Sequence, residues 1–79
     1  MATNQPTGAE TMDAAAKEIF DNGYDGEISD EARRQIAYSA DRCYGAGRSL
    51  ADCLRVVIAS WGWNRAAMTV AANTYSRSA

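Results

Sequence analysis

Glycine-bearing corners divide this chain into pieces that suit short helices and little else. Asn22-Gly23, Gly45-Ala46-Gly47 and Gly62 interrupt it, and each interruption is followed closely by a residue suited to start a helix: Ser29, Ser49 and Asn64. Between these marks the apolar residues recur at helical spacing. The first helix is predicted over 9–21, with Met12, Ala16, Ile19 and Phe20 on its inner face. Thr7 with Glu10 forms a candidate capping box before it, and Thr11 is a second candidate cap. The second helix is predicted from Ser29 to about Tyr44, with Ala32, Ile36, Ala40, Cys43 and Tyr44 inward. The third carries Leu50, Cys53, Leu54, Val57, Ile58 and Trp61, the most apolar stripe of the chain. The fourth carries Ala67, Met68, Val70, Ala71 and Tyr75 to about Ser76, and Trp63 before its cap is placed to staple onto Met68. The pattern predicts an all-α fold, a compact bundle of about four short helices. Residues 1–8 read as a flexible tail, and 9–79 as a single helical domain.

At 79 residues the chain forms one domain with a thin core, and a hydrophobic fraction of 47% argues against disorder. Much of that fraction is alanine, which packs helices closely but buries little area. No apolar run approaches the ~18 residues that span a bilayer, and no basic-then-apolar leader opens the sequence, so a cytoplasmic location without membrane attachment is expected. Cys43 and Cys53 flank the second corner and can lie level across a hairpin. In a cytosolic chain two such thiols are expected reduced and buried. Without histidine they make no zinc site, which wants four nitrogen or sulfur ligands, and no metal or cofactor is expected.

Charge is distributed unevenly. Residues 1–32 hold eight carboxylates against Lys17 alone, a net −7, whereas residues 33–79 hold seven arginines against Asp41 and Asp52, a net +5. Such a split suits an acidic face for a basic partner or a basic face for nucleic acid. Alternatively the halves fold together and partly neutralise. The stretch from Asp21 to Ala32 resembles an EF-hand calcium loop, with Asp21 at position 1, Asp25 at 5, Gly26 at the sharp turn, Ile28 at 8 and Ser29 at 9. It departs from the motif at position 3, which is Gly23, and at position 12, which is Ala32 where a bidentate glutamate is needed. Calcium binding is therefore not expected.

The row from Arg55 through Val57, Ile58, Trp61, Gly62, Trp63, Met68 and Ala71 resembles a helix–turn–helix, with Arg65, Thr69 and Asn73 projecting from its second helix. Ile58 stands where that motif favours alanine or glycine, and only Arg65 and Arg77 supply positive charge there. Trp61 and Trp63 straddle Gly62: either both pack in the core, or one does and the other stays partly exposed as an interface anchor. Catalysis finds no footing, because histidine is absent and no nucleophile elbow or phosphate-binding glycine loop appears.

In size and character, though in no motif, the chain resembles small phage-encoded inhibitors of host systems of the anti-CRISPR type. That resemblance implies a protein that occludes a basic, nucleic-acid-binding surface of a host complex with carboxylates in place of phosphates. The contact set it implies is Glu18, Asp21, Asp25, Glu27, Asp30 and Glu31, with Trp63 as the candidate anchor. The alternative is a small helix–turn–helix regulator that binds DNA through Arg65, Thr69 and Asn73. A homodimer built on the tryptophan-flanked corner is a third reading.

Overall fold

The computed structural model describes residues 8–79, with side chains at Ala14 and from Ala16 onward. The expected tail, apart from Gly8, the candidate cap Thr7 and the inward placing of Met12 lie outside what it describes, whereas Thr11, the second candidate cap, falls inside the first helix and so does not start it. Four helices make up the fold: α1 (Gly8–Asn22), α2 (Asp30–Gly45), α3 (Leu50–Trp61) and α4 (Arg65–Ser78). Among the described residues there is no strand. Gly8, expected in the tail, is already helical.

Local chemistry sets these boundaries. Ser29 and Ser49 accept hydrogen bonds from the backbone N–H groups of Ala32 and Asp52, each three residues on, at 3.1 Å. Asn64 does the same for Ala67 at 3.0 Å. Asp30 and Glu31 occupy the first turn of α2 and Arg42 its last, the order that the helix dipole favours. Gly62 closes α3 with its N–H on the carbonyl of Ile58. Its φ of 88° and ψ of 169° lie in a region that only glycine occupies readily.

The second helix is the centre of the bundle and packs against the other three, and α3 also meets α1 and α4. The core is small: Ile19, Ile28, Ala32, Ile36, Ala40, Cys43, Cys53, Val57, Trp61, Ala67 and Ala71 are buried. Four of these are alanines on α2 and α4, which lets the two backbones approach closely. At the far end Tyr75 donates its hydroxyl to the carbonyl of Arg48 at 2.6 Å, and its ring meets that of Tyr44 edge-on. No helix among the described residues is long and apolar enough to cross a membrane.

Three residues expected in the core are on the surface. Phe20 is 85% exposed, because its neighbour Ile19 takes the inward position and Phe20 lies about 100° further round the helix. Ile58 is 40% exposed beside buried Val57 for the same reason. Tyr44 is 37% exposed at the rim, with Cys43 inside. Ile28 is a core residue that the loop reading passed over. Both cysteines are free thiols in the core. Burial, and then Cys43 beside it, push the Cys53 thiol up to about 11, which keeps it protonated and unreactive near neutral pH.

The adjacent pair on α1 gives a direct check on the face assignment. Ile19→Ala should cost about 2–5 kcal/mol, and thus lower the melting temperature by roughly 10 °C or more. Phe20→Ala should change stability by no more than about 0.5 kcal/mol. Thermal unfolding followed by circular dichroism reads both. Equal losses would mean that Phe20 is also a core residue.

Candidate functional site

The acidic stretch that stands out in the sequence closes onto the α3–α4 corner. The residue that holds the two together is Asn64, which is fully buried. Its Oδ1 caps α4, while its Nδ2 donates to the carbonyl of Gly23 at 2.6 Å and of Gly26 at 3.1 Å. Next to it the Arg65 N–H donates to the carbonyl of Tyr24 at 2.7 Å. The loop is braced from its own side by Asn22, whose Nδ2 donates to the Glu27 carbonyl at 2.6 Å. Asn22 and Gly26 approach so closely that a Cβ on Gly26 would overlap the Asn22 side chain and backbone. Glycine is therefore required there by space.

The carboxylates of the expected contact set have different roles. Glu18 accepts the Ser29 N–H at 2.8 Å and so ties α1 to the start of α2. Asp21 pairs with Lys17 one turn back at 2.8 Å, and this pair raises the lysine pKa. Asp25 pairs with the Nε of Arg65 at 2.9 Å, both side chains being largely exposed. Glu31 is turned along its own helix to Arg34 and Gln35, whose hydrogen bonds hold its carboxyl below the usual range. Glu27 and Asp30 are exposed, and no side-chain partner is found for them among the described residues. Among the described residues, Asp25–Arg65 is the ion pair that joins positions far apart in the sequence. The others join residues three or four apart.

The structure adds aromatic side chains to this acidic end. Trp63 is 44% exposed, and its ring meets Tyr24 edge-to-face with centroids 5.5 Å apart. Tyr24 is 71% exposed. Together with Phe20 they border one shallow depression of about 200 Å³ whose floor includes Ile19 and Trp61. Trp61 is buried, so the two tryptophans divide between core and surface. Asp21 follows Phe20 and Asp25 follows Tyr24, so carboxylates flank the aromatic group. Sequence reasoning placed Phe20 on the inner face of α1 and passed over Tyr24. The usable signal was that Ile19 and Phe20 cannot share one inward direction.

In the EF-hand-like loop the groups at the ligand positions are engaged by neighbours. Asp21 and Asp25 face Lys17 and Arg65, the Ser29 hydroxyl caps α2, and the position-7 carbonyl of Glu27 already accepts from Asn22. Among the described residues no cluster of three or more potential metal ligands is found. On the basic side Arg65, Thr69 and Asn73 are all exposed on α4, and the Thr69 hydroxyl donates to the Arg65 carbonyl. No family model, no curated protein and no solved structure matches the chain.

Asn64→Ala removes a helix cap and the donor to two loop carbonyls, and should cost roughly 2–4 kcal/mol. Asn64→Ser keeps a cap and should lose less. Asn64→Asp also keeps the cap but sets a carboxylate against the carbonyls of Gly23 and Gly26, so it should be less stable than Asn64→Ser at neutral pH. Its carboxyl pKa would be higher folded than unfolded, so the deficit should shrink on acidification, when the protonated group regains a donor. Urea titrations at two pH values check this order. In parallel, millimolar calcium should leave the wild-type melting temperature where sodium at equal ionic strength leaves it, whereas a bound ion at 100 times its Kd would add about 2.7 kcal/mol.

Proposed function

We propose that this chain is a non-catalytic protein-binding module, and that Phe20, Tyr24 and Trp63 with their flanking carboxylates are its working surface. The observation that carries this reading is the clustering of three exposed aromatic side chains around one depression at the acidic end. A chain with so thin a core gains stability from every large apolar side chain it buries, yet it leaves three of them together in water. Clusters of this kind mark interaction surfaces, and Trp and Tyr are the residues on which binding energy concentrates. The carboxylates set the partner's chemistry: an apolar ridge or hollow ringed by Lys and Arg. A nucleic-acid-binding face of a larger protein complex has that character. Its occlusion would make the chain an inhibitor, in keeping with its resemblance to small phage-encoded factors.

Further support comes from the chemistry on offer. The chain has no histidine, and the Cys53 thiol is buried with its pKa raised. The DNA-binding alternative rests on the exposed row Arg65, Thr69 and Asn73. It is weakened by Asp25, which sits on the Arg65 guanidinium and would face any phosphate that approached it.

Capture from bacterial lysate with tagged wild type and variants, quantified by mass spectrometry, separates these readings. Trp63→Ala and Phe20→Ala should each weaken capture of the partner by roughly 30-fold, the scale of a 2 kcal/mol anchor. Asp21→Lys with Asp25→Lys should abolish it while the helical spectrum stays intact, because exposed ion pairs contribute only about 0–1 kcal/mol to folding. Arg65→Ala with Arg77→Ala should have little effect. If the arginine variant loses its target and the lysine variant retains it, or if the target is duplex DNA with a steep salt dependence, the regulator reading takes first place.

A further inference from the structure

A second hollow lies away from the acidic end. It is an open cleft of about 530 Å³ where the C-terminal part of α2 meets α3, within the range that small-molecule sites occupy. Its lining is mostly apolar, with Cys43, Val56 and Trp61 among the wall residues, and the Tyr38 ring stands on one side. Arg42 and Arg48 are the charged residues of the lining, and no Asp or Glu belongs to it. Arg42 lies over the Tyr38 ring, 5.6 Å from its centroid, and donates to the Tyr38 hydroxyl at 3.0 Å. That contact fixes its place without neutralising its charge.

Two arginines in a mostly apolar lining that holds no carboxylate define one kind of ligand. Among the described residues three of the seven arginines stand in an ion pair, Arg34 with Glu31, Arg55 with Asp52 and Arg65 with Asp25, and Arg33 and Arg77, which do not line the cleft, have none. Arg42 and Arg48 have no such ion pair among the described residues. The wall also contains a buried donor that the fold leaves unpaired, the indole N–H of Trp61, so this part of the core is not internally satisfied. We propose that the cleft is a binding site for a small aromatic carboxylate, with the ring on Val56 and Trp61 between the rim residues and the carboxylate on Arg42 and Arg48. A planar carboxylate suits the guanidinium fork, and a flat ring suits a slot with aromatic walls. The site shares buried Trp61 with the floor of the aromatic–acidic depression but none of that surface's exposed residues, and it does not depend on the reading given to that surface.

The test is a titration of ¹⁵N-labelled protein with 2-naphthoate and, separately, with its uncharged isostere 2-naphthamide. Naphthoate should give saturable shifts at the Trp61 indole N–H, identified by comparison with Trp63→Phe, and at the amides of Cys43, Ala46 and Val56. The amide should bind at least about tenfold more weakly, the scale of one charge-assisted contact. Arg42→Gln with Arg48→Gln should bring naphthoate down to the level of the amide, and Val56→Trp should fill the cleft and abolish both. Equal affinity of acid and amide, shifts confined to Phe20, Tyr24 and Trp63, or no saturable shift would overturn the proposal. The comparison of acid with amide uses wild-type protein, so it stands even if a variant fails to fold.

Discussion

The side chain of Asn64 makes three bonds, and the arrangement of the bundle depends on them. Helices α1 and α2 are joined by a seven-residue loop, Gly23 to Ser29, with one core residue of its own, Ile28. Such a loop has little to fix its course. The amide nitrogen of Asn64 fixes it by gathering two of its carbonyls, while the amide oxygen caps α4. The bonded residues are 41 and 38 positions apart in sequence, so one buried side chain closes about half of the chain into a ring. No apolar side chain of that size could do this, because it would leave the carbonyls and the first turn of α4 without partners. The neighbouring Arg65–Tyr24 backbone bond and the Arg65–Asp25 ion pair then act on a geometry already set.

The thinness of the core has consequences for the surface. Alanines 32, 40, 67 and 71 bring α2 and α4 close together, and closeness leaves no room between them for large side chains. Trp61 stays in the core, and other aromatic residues lie further out: Tyr44 and Tyr75 at one end, and Phe20, Tyr24 and Trp63 at the other. The two groups differ in one respect. Tyr75 anchors its hydroxyl on the Arg48 carbonyl and thus contributes to folding. No hydrogen bond to the Tyr24 hydroxyl or the Trp63 indole N–H is found among the described residues, and the exposed Phe20 side chain has no polar group to offer.

How much of this was legible in the sequence follows from the range of each interaction. The caps at Ser29, Ser49 and Asn64 are three-residue events, so residue type and spacing were enough to place them and, with them, the helix boundaries. Helix faces were harder to read. A stripe of apolar positions is about 100° wide, and its edge is set by whichever helix covers it, so Phe20, Ile58 and Tyr44 fell on the wrong side of a line that only the tertiary structure draws. The second role of Asn64 was out of reach, since nothing near position 64 announces two carbonyls about forty residues away. The acidic concentration was plain as composition. The uses of its members were not, because Glu18 is recruited by the Ser29 amide and Asp25 by Arg65, both through the fold.

These separate roles bear on how an acidic surface can work. A carboxylate that already accepts a backbone N–H, as Glu18 does, is poorly placed to meet a partner without loosening α2. Asp21 and Asp25 are differently placed: their partners Lys17 and Arg65 are long, exposed side chains held by pairs that contribute little to stability. A protein surface bearing Lys and Arg can displace either one at small cost and take over the carboxylate. The displaced Lys17 and Arg65 then swing into solvent, where charged side chains are well hydrated. The aromatic group beside them supplies the apolar burial that such exchange lacks, since trading one surface ion pair for another gains little by itself. On the proposed reading, recognition at this end would therefore be divided: the carboxylates would speed encounter and select a basic partner, and Phe20, Tyr24 and Trp63 would slow its departure.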